Sequence, residues 1–123
     1  MAGQIQWEEK GILFIHKGTV DDAEVMELNN IMYGDPRFDN ITYQISDYTL
    51  AEKILLTQTD ARVIGTLDRV SSHWTTRKMK VAVVTRDPEF IPMANHYFEQ
   101  FEGTPWEGRI FGTLDEAYAW VRA

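Results

Sequence analysis

The chain has 123 residues, 44% of them hydrophobic and 25% charged, a balance suited to one compact domain with a sizeable core. It contains no cysteine, which excludes disulfide scaffolds, zinc-thiolate and iron–sulfur sites and thiol nucleophiles. The net charge of −7 and a pI near 4.8 argue against generic nucleic-acid binding.

Two strands are predicted at 4–9 and 11–17, around a turn at Lys10-Gly11. Ile5 and Trp7 alternate with polar neighbours, whereas ILFI at 12–15 is apolar on both faces. A first helix is expected to open at Thr19, with Asp22 at capping-box spacing. Val25, Leu28 and Met32 make its apolar stripe, widened by Met26 and Ile31, and Gly34 is placed to end it in a left-handed conformation before Pro36. The next strand, 41–47, alternates cleanly. Ile41, Tyr43 and Ile45 face one way and Thr42, Gln44 and Ser46 the other, which predicts one core face and one face toward water, a partner or a polar groove.

Residues 48–56 show no regular pattern. A second helix is predicted from Thr57 or Thr59 to Trp74, with Thr57 and Asp60 at capping-box spacing and an apolar stripe of Val63, Leu67, Val70 and Trp74. Gly65 falls opposite that stripe, so close helix packing does not account for it. KVAVVT at 80–85 reads as a central strand. A third helix starts near Pro92, presents Ala94, Tyr97, Phe98 and Phe101, and ends at Gly103. A short strand at 109–111 precedes a last helix, capped by Thr113 with Glu116, that buries Leu114, Ala117, Trp120 and Val121. The order β-β-α-β-α-β-α-β-α predicts an α/β fold, mainly a parallel sheet with an antiparallel N-terminal edge, with helices mostly on one face.

The run DPRFDN at 35–40, the strand ending in Asp47, the VAVVT strand and the closing FGTLDEAYAWV resemble the SpoIIAA-like family of small bacterial proteins. That family is related in fold to STAS domains and more remotely to CRAL-TRIO lipid-binding domains. The resemblance runs from about Trp7 to Val121 and implies a superhelix of β-α turns. STAS domains acting as anti-sigma-factor antagonists carry a phosphorylatable serine in an Asp-Ser-Ser-Gly-like motif at the helix start after the strand matching 41–47. Here Ser46-Asp47-Tyr48 is followed by TLAEKILLTQTD, without Ser-Ser-Gly, and Thr57 and Thr59 occupy the comparable helix start.

Candidate sites are few. Asp47 ends a strand of the kind whose C-terminal end binds ligands in open α/β sheets, or else it caps loop amides. Residues 61–86 carry +5 between acidic flanks, and Arg62, Arg69 and His73 line one flank of the second helix with Thr66. That flank reads as a contact for an acidic partner or an anion, or as a solvated face. Thr57 and Thr59 read as regulatory phosphosites or as plain N-caps. Tyr97, Phe98, Phe101 and Trp106 either line a pocket for a small apolar ligand or simply pack the core. His16, His73 and His96 lack metal-ligand spacing, so no metal is expected. No GxSxG, GxGxxG or Walker pattern occurs, so no cofactor is expected and no catalytic residue is assigned. The start, MAGQIQWEEKG, does not read as a secretory signal, and no apolar run is long enough to span a membrane. These observations lead to an expected cytoplasmic, non-enzymatic binding or regulatory domain acting on a protein partner or a second copy of itself. The alternative is a carrier of a small apolar ligand or lipid.

Overall fold

The computed structural model describes residues 3–75 and 77–123, the side chains of 73–75 excepted. Five strands, β1 (Gln4–Trp7), β2 (Gly11–Val20), β3 (Tyr43–Ile54), β4 (Met79–Val84) and β5 (Trp106–Phe111), form one sheet in the order β1-β2-β3-β4-β5. β1 is antiparallel to β2, and every other pair is parallel. The helices are α1 (Asp22–Tyr33), α2 (Gln58–Thr75), α3 (Ile91–Glu99) and α4 (Leu114–Val121), with a 3-10 turn over Pro36–Asn40 after α1. This is the mixed α/β sheet that the alternation predicts.

Side-chain parity sorts the core into two layers. Ile12 and Phe14 of β2 and Met79 and Val81 of β4 face Leu28 and Met32 of α1. Val83 faces Ile64 of α2 and Ala94 of α3. The opposite faces, including Leu13, Tyr43, Ile45, Ala82 and Val84, pack on Ala117 and Val121 of α4. Three helices thus cover one face and one covers the other. A doubly covered β2 explains why ILFI is apolar on both sides.

Several expectations need correction. The polar side of residues 41–47 meets solvent only at Thr42, since Gln44 and Ser46 are buried. The first helix does not open at Thr19. β2 continues to Val20, and Asp21 is the N-cap, its side chain accepting from the Glu24 amide. Gly34 is right-handed, at φ −80°, and the chain runs directly into the 3-10 turn. Residues 48–54, without a clear pattern, extend β3. Register shifts in β2, one beside Gly18 at φ 63°, allow Val20 to pair with Ile54 well beyond the last β3–β4 pair, Asp47 with Val84. β5 begins at Trp106, three residues earlier than expected. Gly108 is required there, since a Cβ would sit 2.1 Å from the Phe98 ring.

The largest correction concerns α2. The stripe Val63, Leu67 and Val70, expected in the core, is 51%, 41% and 50% exposed. The buried face is Ala61, Ile64, Gly65, Asp68 and Ser72. Gly65 is a site of close helix packing after all: a Cβ would lie 2.8 Å from the Tyr97 carbonyl oxygen and 2.9 Å from Gln100 Cβ.

Candidate functional site

Between the sheet and α1, α2 and α3 lies a cavity of about 40 Å³. Phe14, Leu28, Ile64, Phe90 and Met93 contribute apolar wall, and His16, Gln44 and Ser46 contribute a polar end. His16 and Gln44 reach it from neighbouring strands, because even-numbered residues of β2 and β3 point toward the three helices. His16 is 1% exposed and stacks on Tyr48, with ring centroids 4.2 Å apart and planes 13° from parallel.

Among the described residues, neither His16 nitrogen has a hydrogen-bond partner, and neither does Gln44 Oε1. Glu24 Oε2 stands 3.9 Å from His16 Nδ1, beyond hydrogen-bond range, while its Oε1 accepts from the Gly3 amide at 2.6 Å. Burial pulls the imidazole down from 6.5 to about 4, and the nearby Asp47 charge offsets only part of that shift. The ring is therefore neutral at neutral pH. A buried donor or acceptor without a partner costs about 1–3 kcal/mol, so this polar end is poised to accept one.

α2 closes the cavity with Ala61 and Ile64. Asp68, fully buried one turn on, accepts hydrogen bonds from the Tyr33 hydroxyl of α1 and the Tyr97 hydroxyl of α3. Burial pushes its carboxyl up from 3.8 to about 6, against the pull of those two donors. Arg69 Nη1 donates to the carbonyls of Gln100 at 3.0 Å and Glu102 at 2.7 Å.

The structure separates most of the sequence-derived candidates. Asp47 is buried, and its Oδ1 accepts from the amide and hydroxyl of Thr49 at 2.9 and 2.7 Å. Arg62 is exposed on α2, whereas Arg69 is turned onto the chain after α3. The side chains of His73 and Trp74 lie outside the described residues. Thr57 and Asp60 form the capping box, the Thr57 amide donating to Asp60 Oδ2 and the Asp60 amide to Thr57 Oγ1. Thr59 is exposed in the first turn of α2. Of the four aromatics, Tyr97 lines the cavity, while Phe98, Phe101 and Trp106 pack against one another beside it.

Sequence reasoning missed His16, Gln44 and Asp68. Each left a signal: a histidine closing an apolar run, an amide on a buried strand, and an acid on the helix face opposite the apolar stripe. A second, open groove of about 500 Å³ lies at the C-terminal ends of β3 and β4, between Thr49–Glu52, Thr85–Asp87 and Thr113. Among the described residues, no buried polar atom lacking a partner lines it. Nor do any three His, Asp or Glu side chains among those residues gather as a metal site would require.

No family model matches the sequence, and no curated protein matches it. Solved structures do match over nearly the whole chain. One is an uncharacterized protein of the DUF3478 family with a SpoIIAA-like fold from Shewanella loihica PV-4. It is 14% identical, with 98% of this chain and 92% of that chain covered at a TM-score of 0.57. Another is the anti-sigma factor antagonist SpoIIAA in its unphosphorylated form, 14% identical, with 99% of both chains covered at a TM-score of 0.63. The chain therefore has the SpoIIAA-like fold that its sequence words imply. At this identity the likeness defines architecture, while function has to come from the site.

Proposed function

We propose that the chain is a non-enzymatic, cytoplasmic binding domain of the SpoIIAA/STAS-like type that acts through protein–protein contact, with the outer face of α2 as the contact. The observation carrying this reading is the exposed stripe Val63, Leu67 and Val70. Its 4-then-3 spacing is that of a helix–helix seam. Thr59, Thr66 and Ser71 border the seam, and α2 of a second copy is the simplest partner for it. A structural neighbour described as an anti-sigma factor antagonist supports action on another protein. Thr57 and Thr59 enter as regulatory positions, since phosphate at a helix N-terminus is favoured by the dipole. Arg62, beside the seam, adds a contact for an acidic group.

With Arg69 already engaged, association should depend more on apolar burial than on salt. Sedimentation of the wild type and Leu67→Glu across a concentration series tests this. The expected result is a concentration-dependent dimer that the substitution abolishes. A wild type that stays monomeric throughout overturns the self-association reading.

The cavity beside Tyr97 favours a second reading, a carrier of a small apolar ligand. Its seat is beside the expected aromatic cluster: Phe98 and Phe101 pack on Tyr97, and Trp106 packs on Phe101. Native mass spectrometry of the purified chain tests for a retained ligand, and only an unliganded mass under gentle ionisation counts against retention.

A further inference from the structure

The polar end of the cavity deepens the carrier reading and rests on it. We infer that the cavity selects a small, neutral, largely apolar molecule carrying one hydroxyl, seated between His16 and Gln44. Gln44 Oε1 needs a donor, and neutral His16 offers one donor and one acceptor, all without partners among the described residues. A single hydroxyl can donate to one of these groups while accepting from the other. A hydrocarbon satisfies neither and leaves the cost of the unpartnered atoms in place.

Charge narrows the class further. Among the described residues, no Lys or Arg lines the cavity. Asp47 is close enough to act electrostatically on His16, and Glu24 Oε2 is 3.9 Å from it. A carboxylate or phosphate would be buried without a cation and beside two acids, which is strongly unfavourable. An ammonium group would be drawn by the same two acids but would be buried without a carboxylate in contact, since neither Glu24 nor Asp47 lines the cavity. The surrounding Phe14, Leu28, Ile64 and Phe90 supply contact for an apolar body. At about 40 Å³ the cavity holds the hydroxyl group, and seating the body requires Met93, a flexible side chain of its wall, to turn aside.

The test titrates the full chain at neutral pH with cyclopentanol, cyclopentane, cyclopentanecarboxylate and cyclopentylamine. It is followed through the Met93 methyl and His16 imidazole signals in NMR spectra. The hydrophobic effect alone ranks the hydrocarbon above the alcohol, because the alcohol must give up hydrogen bonds to water. The inference requires the reverse: cyclopentanol bound about tenfold more tightly than cyclopentane or better, with a His16 nitrogen shift on binding and no saturable response to the carboxylate. Gln44→Met should erase the preference for the alcohol while keeping cyclopentane binding. The His16 nitrogen shift needs no variant, so the test stands even if Gln44→Met fails to fold. Equal binding of alcohol and hydrocarbon overturns the hydroxyl assignment and leaves the carrier reading intact. Preferred binding of the acid or the amine overturns the charge argument. A cavity that admits water and none of the probes overturns both the inference and the carrier reading.

Discussion

The hydroxyl of Tyr97 donates to the carboxylate of Asp68, joining α3 to the buried face of α2, and Tyr33 of α1 donates to the same carboxylate. One acid thus gathers three helices over the cavity. Because the carboxyl is raised to about 6, it is largely ionised at pH 8 and largely protonated at pH 5. Tyr97→Phe removes one of two donors to a buried charge, a loss of about 1.5–3 kcal/mol. The loss should be larger at pH 8 than at pH 5, and the Asp68 titration should move further up. Urea unfolding at both pH values checks this.

Asp68 and His16 oppose one another in acid. Asp68 binds its proton more tightly folded than unfolded, so its contribution to stability grows as pH falls from about 6 toward 4. His16 binds its proton less tightly when folded, so its contribution is full above 6.5 and is lost as pH falls toward about 4. Each effect is worth about 3 kcal/mol across the window. The pair should nearly cancel in the wild type. His16→Phe should make stability climb on acidification, and Asp68→Asn should make it fall more steeply. Parallel slopes in all three proteins would refute the opposition.

Gly65→Ala ordinarily stabilises a helix by about 0.5–1 kcal/mol. Here the added methyl would meet the Tyr97 carbonyl at 2.8 Å. Backbone cannot yield as a side-chain tip can, so a net loss of about 1–3 kcal/mol is expected from denaturation midpoints.

Thr57→Ala removes the acceptor for the Asp60 amide and should cost about 1 kcal/mol. Thr59→Glu places charge in the first turn of α2 without touching the cap, and should raise stability by about 0.3–1 kcal/mol at low salt. Thermal unfolding of the two variants separates a capping role from a charge-sensing one.

Much of the architecture was legible from periodicity. Apolar runs, capping signals at Thr57 and Thr113, and the alternation of strands with helices placed the sheet and its antiparallel edge. The SpoIIAA-like words pointed to the same superhelix. Residues 48–54 were not legible as strand, because their pairing with β2 depends on bulges around Gly18 rather than on alternation within the segment.

The site was less visible for a physical reason. A helical period tells which residues share a face, not which way that face points. On α2 the more apolar stripe, Val63, Leu67 and Val70, ended outside, while small Gly65 and charged Asp68 went inside. Gly65 alone lets the backbones of α2 and α3 approach closely, and Asp68 can be buried only because hydroxyls 35 and 29 residues away in sequence meet it. His16 and Gln44 share one cavity through the register of β2 against β3. Sequence by itself determined the elements and their order, since those follow from local pattern. The tertiary structure alone decided which faces turn inward and which polar groups meet, since that depends on contacts between distant elements.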